Sequence, residues 1–268
     1  LSGSLITEWT SRECNHYLAG GGDIAVLPAG SVEVLGPHLP VGARCFLAEA
    51  FSGLLAERVR GVRLPITPFS SAFTSFDRPG SVALSEQVVN DYVRAAMDDL
   101  LAGGFRRILL VTSLDYLRYY LPQEFYEDHN VAAAGIHLGE LIHEFGREQE
   151  VGEDSAIVGA LLLLDKRELA EKVLAENRRL LQEGFTLAAA PKGVARLCRA
   201  GVIGFTCPPG GYQIPPNPKL SAEAGEEVLR RAAEAMAPWV ESLRAYNEFL
   251  ARRGVTRGLM WRGWRWSE

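Results

Sequence analysis

The spacing of hydrophobic positions changes repeatedly along the chain. Nearly continuous apolar runs of strand length lie at 23–28, 62–68, 107–112 and 131–138, and between them apolar residues recur at helical spacing. Continuous runs predict strands buried on both faces, and their alternation with helices predicts βαβ units around a mostly parallel sheet. Helices are expected over 43–59 and 87–101. The second is opened by the Ser85–Glu86 cap signal and closed by Gly103 and Gly104. Residues 155–183 read as one long Ala- and Leu-rich helix charged on one side, 190–218 is rich in Gly and Pro, and 221–252 is helical again. Neither an internal repeat nor a linker interrupts the pattern. The expectation is one α/β domain over 1–249, its mostly parallel central sheet covered by helices on both faces.

Composition narrows the function classes. With 268 residues, 47% hydrophobic and 23% charged, and a net charge of -5, the chain is an ordinary globular protein with a sizeable core and no general affinity for nucleic acid. No apolar run approaches the roughly 18 residues that a membrane span needs, so no membrane partner is expected. Residues 1–10 do not read as a signal peptide. Cys14, Cys45, Cys198 and Cys207 are scattered without a CxxC pair, which suggests reduced thiols and a cytoplasmic location. The segment 250–268 differs from the rest: Arg252, Arg253, Arg257, Arg262 and Arg265 stand among Trp261, Trp264 and Trp266, with one acid. Arg and Trp are anchors of protein interfaces, so this tail is expected to pack on its own body or on a neighbour; one short basic tail makes a poor nucleic-acid site.

Chemistry concentrates in one loop. The run Leu27-Pro28-Ala29-Gly30-Ser31-Val32-Glu33-Val34-Leu35-Gly36-Pro37-His38-Leu39-Pro40 resembles the opening motif of the creatininase (creatinine amidohydrolase) family, P-x-G-S-x-E-Q-H-G-P-H-L-P followed by T-D. Pro79-Gly80-Ser81 with Leu84-Ser85 is similar to the family's F-P-G-T-x-x-L-S, and Gly104 to Val111 to its G-F-R-R-I strand. Gly201 to Gly204 and Ala222 to Gly225 are similar to its closing segment. The resemblance implies a single creatininase-like α/β domain and a homo-oligomer, often a hexamer. For many relatives it also implies hydrolysis of a cyclic amide by divalent metals such as zinc or manganese, held by carboxylates and imidazoles.

The positions implied as metal ligands have mostly changed here. Glu33 matches the first Glu, but the next His is Leu35, the bridging Asp is Arg44, the His of N-G-H is Leu114, and the His before F-P-G-T is Ser75. The last Glu falls on Glu153 or Ser155, depending on register. Leucine has no lone pair for a metal, and a guanidinium in place of a carboxylate repels a dication. No metal and no other cofactor is therefore expected. The pocket is expected to be formed by Glu33, Leu35, His38, Arg44, Ser75, Leu114, Asp115 and Glu153, with Glu33 paired to Arg44 and Leu35 and Leu114 packed around the pair. Candidate catalytic groups are Glu33, His38 and Cys45, the last because a helix start beside a cation favours thiolate; a buried structural Cys45 is the plainer alternative. A relocated metal site at His137, Glu140, His143 and Glu144 is a further candidate, against a solvated helix face.

Three functions remain open at this point. One is a family protein without the parental hydrolase activity, acting as a binding or assembly subunit. The second is an enzyme of altered, metal-independent mechanism acting on a small anionic ligand held by Arg44. The third is a metal-dependent cyclic-amide hydrolase with non-standard ligands.

Overall fold

The computed structural model describes residues 5–71, 78–186 and 213–253. Its centre is a four-stranded, wholly parallel sheet of β1 (Ile24–Ala29), β2 (Val62–Arg63), β3 (Arg107–Thr112) and β4 (Ala134–His137), in the order β2-β1-β3-β4. Every residue of β1 and β3 is buried, which explains why these strands read as unbroken apolar runs. Ile24, Val26, Leu109 and Val111 face one core; Ala25, Leu27, Ile108 and Leu110 face the other.

Eight helices, among the described residues, cover the two faces: α1 (Ser11–Ala19), α2 (Ala43–Val59), α3 (Glu86–Ala102), α4 (Asp115–His129), α5 (Leu138–Gly146), α6 (Glu153–Leu163), α7 (Arg167–Gln182) and α8 (Ala222–Arg253). The first core joins the sheet to α2, α5, α6, α7 and α8. The second joins it to α3 and α4, with Tyr17 and Leu18 of α1 at its margin. Helix α2 lies deepest, between the sheet and the α6–α8 layer, so its sequence is apolar almost all round. Among the described residues no helix is long and apolar enough to cross a membrane.

Two expectations need correction. Residues 155–183 form two helices rather than one. Asp165 adopts a left-handed conformation (φ 57°), and the Lys166 amide closes the end of α6 on the Leu161 carbonyl at 2.8 Å. The reason lies in what each half buries: α6 is apolar and enclosed, whereas α7 buries a single stripe of Ala170, Val173, Asn177 and Leu180. The chain must therefore turn between them. The run 62–68 pairs as a strand over Val62–Arg63 only, and Thr67 returns as a single bridge to Ala29. At the other end, α8 spans Ala222–Arg253 and buries Leu250. The remaining tail and Gly201 to Gly204 lie outside the described residues.

Helices α6 and α8 meet backbone to backbone. A Cβ built on Gly225 would stand 1.8 Å from the Ser155 carbonyl oxygen, and one on Gly159 would stand 2.2 Å from the Glu226 nitrogen. Neither neighbour is a flexible side chain, so neither can yield without moving a helix. Gly225→Ala should destabilise the fold by about 2–4 kcal/mol, in the range of strained core substitutions, as read from urea denaturation. Ala224→Gly, one position away, should cost only about 1 kcal/mol, the helix-propensity difference.

Candidate functional site

The loop that follows β1 is held by backbone bonds that bring two of the sequence motifs together. Glu33 N–H donates to the Val41 carbonyl at 2.8 Å, Val82 N–H to the Val32 carbonyl at 2.9 Å, and Val34 N–H to Ser81 Oγ at 3.1 Å. Gly30 lets the loop lie against the start of α2, where a Cβ would fall 2.6 Å from Cys45 Cα. These contacts turn Glu33 inward, where it is 2% exposed.

Arg44, the second residue of α2, meets two carboxylates. Its Nη1 donates to Glu33 Oε1 at 2.8 Å and its Nε to Glu153 Oε1 at 3.1 Å. Ser31 Oγ donates to the same Glu33 oxygen at 2.5 Å, and Gln213 Nε2 reaches Glu33 Oε2 at 3.4 Å. Burial works against the Arg44 charge, but Glu153 and Glu33 outweigh it and hold the guanidinium pKa above the ordinary arginine range. A cation in the first turn of a helix opposes the helix dipole, so the two acids offset that cost as well. Glu153, the first residue of α6, gains from the same field.

The expected Glu33–Arg44 pair is present, and Glu153 completes a triad that the sequence placed in the pocket without pairing it. Leu35 and Leu114 do not pack together around the pair. Leu35 belongs to the core shared with α2, and Leu114 to the opposite core with Leu110 and Leu117, because the chain leaves β3 toward α4 on the other face. Ser75 and the Asp115 side chain lie outside the described residues. Ser155 is buried and accepts the Ser221 amide through Oγ at 3.2 Å, a joint between α6 and the start of α8.

The candidate nucleophile is a protonated thiol. Cys45 Sγ donates to the Ser31 carbonyl at 3.2 Å, and burial, then Glu49 and Glu33, push its pKa up to about 11. The cation expected to favour thiolate is already committed to Glu33 and Glu153. His38 is also buried, with no hydrogen-bond partner for either ring nitrogen among the described residues; burial holds its pKa below the usual histidine range, against the pull of Asp154 and Glu176. It lines a cleft against α7, beside Val173 and Glu176. At the second candidate metal site, His137 Nδ1 accepts the Glu140 amide at 3.3 Å as the cap of α5, and the Glu140 carboxylate pairs with Arg118.

Three residues of the site escaped the sequence reading. Ser31 lay inside the motif without an assigned role. Gln213 and Asn217 come from the Gly- and Pro-rich stretch, which carries no periodic signal. Asn217 Nδ2 donates to Asp154 Oδ2 at 2.8 Å and its backbone exchanges 2.8 Å bonds with Asn177, which fixes the segment beneath α6 and α7.

Parallel strands with a buried, carboxylate-lined site beyond their C-terminal ends define an open α/β fold, the class that places its sites at that edge of the sheet. Residues 7–113 match the family model Creatininase (creatinine amidohydrolase). A crystal structure of creatinine amidohydrolase (creatininase) superposes with a TM-score of 0.69 at 16% identity, covering 90% of this chain and 98% of that one. A structure described as Creatininase Mn gives a TM-score of 0.61 at 15% identity, covering 89% and 98%. A proposed creatinine amidohydrolase from Bacteroides fragilis gives 0.61 at 17% identity, covering 83% and 90%. No curated protein matches by sequence. The protein has the creatininase fold, and over residues 7–113 its sequence is similar to the creatininase family model.

The metal centre implied by that family needs several carboxylates and imidazoles converging on one point. The residues present do not fit it. A guanidinium stands between Glu33 and Glu153, Leu35 supplies no donor, and among the described residues no group of three or more His, Cys, Asp or Glu is arranged to hold a metal ion.

Two measurements check the site. Glu33→Gln should lower stability by about 2–3 kcal/mol, below the usual cost of breaking a buried pair because Glu153 remains; in an Arg44→Met background the same change should cost under about 1 kcal/mol. A cycle without coupling would mean that the pair carries no energy. Cys45 should resist iodoacetamide in the native protein at pH 8 and react on unfolding. Because its folded pKa is raised from 9.0 to about 11, the neutral thiol's contribution to stability is complete below pH 9 and is lost as pH rises toward 11, which chemical denaturation of Cys45→Ala against the parent chain would show.

Proposed function

We propose that this protein has lost the family's dimetal amidohydrolase centre and acts as a non-hydrolytic binding or assembly subunit, cytoplasmic and homo-oligomeric. The observation that carries this reading is Arg44, whose guanidinium engages Glu33 and Glu153 at 2.8 and 3.1 Å. A cation fixed between the two carboxylates offsets half of the charge that would attract a dication, occupies their oxygens and would repel an ion that entered. Without a metal-bound hydroxide, an unactivated amide faces no nucleophile strong enough to attack it; the Cys45 thiol, with its raised pKa, does not take that place. The electrostatics also weigh against a small anionic substrate at Arg44, since two carboxylates already surround it and any anion must displace one.

The four Cys without a CxxC pair support the cytoplasmic address. Support for an assembly role comes from apolar side chains left on the surface. Val41, Phe69, Val82, Leu84, Val88 and Tyr92 are all exposed, and Val41, Val82 and Leu84 share backbone hydrogen bonds with Glu33, Val32 and Ser70 around the motif loop. Large apolar side chains left exposed near one another in this way are what a protein interface covers.

Elemental analysis of the full chain, purified with zinc and manganese present, should find far less than one metal per chain, and creatinine should not be hydrolysed. Stoichiometric metal with turnover would overturn the proposal. Arg44→Asp should raise zinc binding at least about tenfold, read by calorimetry, since it removes the cation and adds a carboxylate beside Glu33 and Glu153.

A further inference from the structure

The loop between Glu33 and Arg44 buries a histidine whose polar atoms have no partner. His38 is 4% exposed, and neither ring nitrogen has a hydrogen-bond partner among the described residues. A buried imidazole of this kind is tolerated only in its neutral form, because the charged ring carries two donors that need acceptors or water. Two carboxylates act on it, Asp154 at the start of α6 and Glu176 on α7, and both are already engaged. Asp154 accepts the Ser155 amide and the Asn217 side chain, each at 2.8 Å. Glu176 accepts two bonds from Arg179, at 2.9 and 2.6 Å. The cations of α7 in the same cleft, Lys172 and Arg179, would repel an imidazolium.

We propose that His38 is a proton-sensitive clasp on the Arg44 centre. Neutral, it lets residues 36–42 lie against α7; protonated, it turns out into the cleft of about 600 Å³ between its own loop and α7, and the loop follows. The path to the centre is short. The Glu33 amide is bonded to the Val41 carbonyl at 2.8 Å, and the amide of Ala43, next to Arg44, to the Pro40 carbonyl at 3.0 Å. Leu39, beside His38, shares a core with Leu47 of α2 and Val173 of α7. Release of residues 36–42 therefore loosens both members of the Glu33–Arg44 pair. Burial holds the His38 pKa below the ordinary value of 6.5, with Asp154 and Glu176 pulling the other way. The open loop thus binds the proton more tightly than the closed one, so the clasp is complete above that value and is lost as pH falls below it. The clasp does not depend on the reading of the centre as non-hydrolytic.

Hydrogen exchange read by mass spectrometry at pH values of about 7.5 and 5.5, corrected for intrinsic rates, tests it on the full chain and on its His38→Gln and His38→Phe variants. In the parent chain the amides of 36–44 should exchange at least about threefold faster at the lower pH, while those of β1 and β3 stay unchanged. Neither variant titrates at this position, so in both the pH dependence of 36–44 should vanish. The same acceleration in a folded variant, an equal acceleration in the strands, or none in the parent chain would overturn the proposal. Proton NMR of the parent chain adds a readout that needs no folded variant: the His38 C2 proton should titrate below the ordinary histidine value of 6.5, and titration at or above it would also overturn the clasp.

Discussion

A single guanidinium joins parts of the chain that are otherwise unrelated in sequence. Arg44 takes one carboxylate from the loop after β1 and another from the start of α6, 109 residues further on. Each member needs the others. Glu33 is almost wholly buried and would be intolerable as an isolated charge, and Arg44 stands at the end of a helix that disfavours cations. Together they form a closed arrangement in which the desolvation of each charge is met by a hydrogen-bonded partner, with Ser31 and Gln213 occupying further lone pairs of Glu33.

That arrangement depends on how closely the helices approach. Glu153 reaches Arg44 because α6 is pressed against α8 at Gly159 and Gly225, where side chains of any size would separate the helices. The same layer is stitched by Asp154, Asn177 and Asn217, which join α6, α7 and the segment carrying Gln213. Packing at one glycine contact thus reaches the electrostatics of the site through rigid helices rather than through direct contact.

The site also shows how little of its chemistry the fold itself dictates. The loop, the strand ends and the helix starts that present side chains to one point are set by buried backbone and apolar packing. Only the terminal groups of a few side chains decide between a metal centre and an ion-pair triad. Leu35 lies in the core, and Arg44 puts a positive charge at the centre of the site; both rest on the same buried strands.

Much of this was legible from the residues alone. The buried strands at 24–29 and 107–112 show as unbroken apolar runs, α2 and α3 show as helical periodicity with a Ser85 cap, and the Glu33–Arg44 pair follows from charge balance once the motif is seen. Other features carry a local signal as well: Thr10 and Glu13 form a capping box that announces α1, and Asp165–Lys166 interrupts the apolar run where α6 ends. Some features had no local signal at all. Helix α4 carries Pro122 and weak periodicity, so its existence depends on the core it covers. Leu35 and Leu114 look equivalent in sequence and fall on opposite faces of the sheet. The Cys45 thiol stays protonated because the fold buries it beside Glu49 and Glu33. Periodicity and charge are properties of neighbours along the chain; which carboxylate meets which cation, and which face a residue joins, are set by contacts between distant segments, and only the tertiary structure decides those.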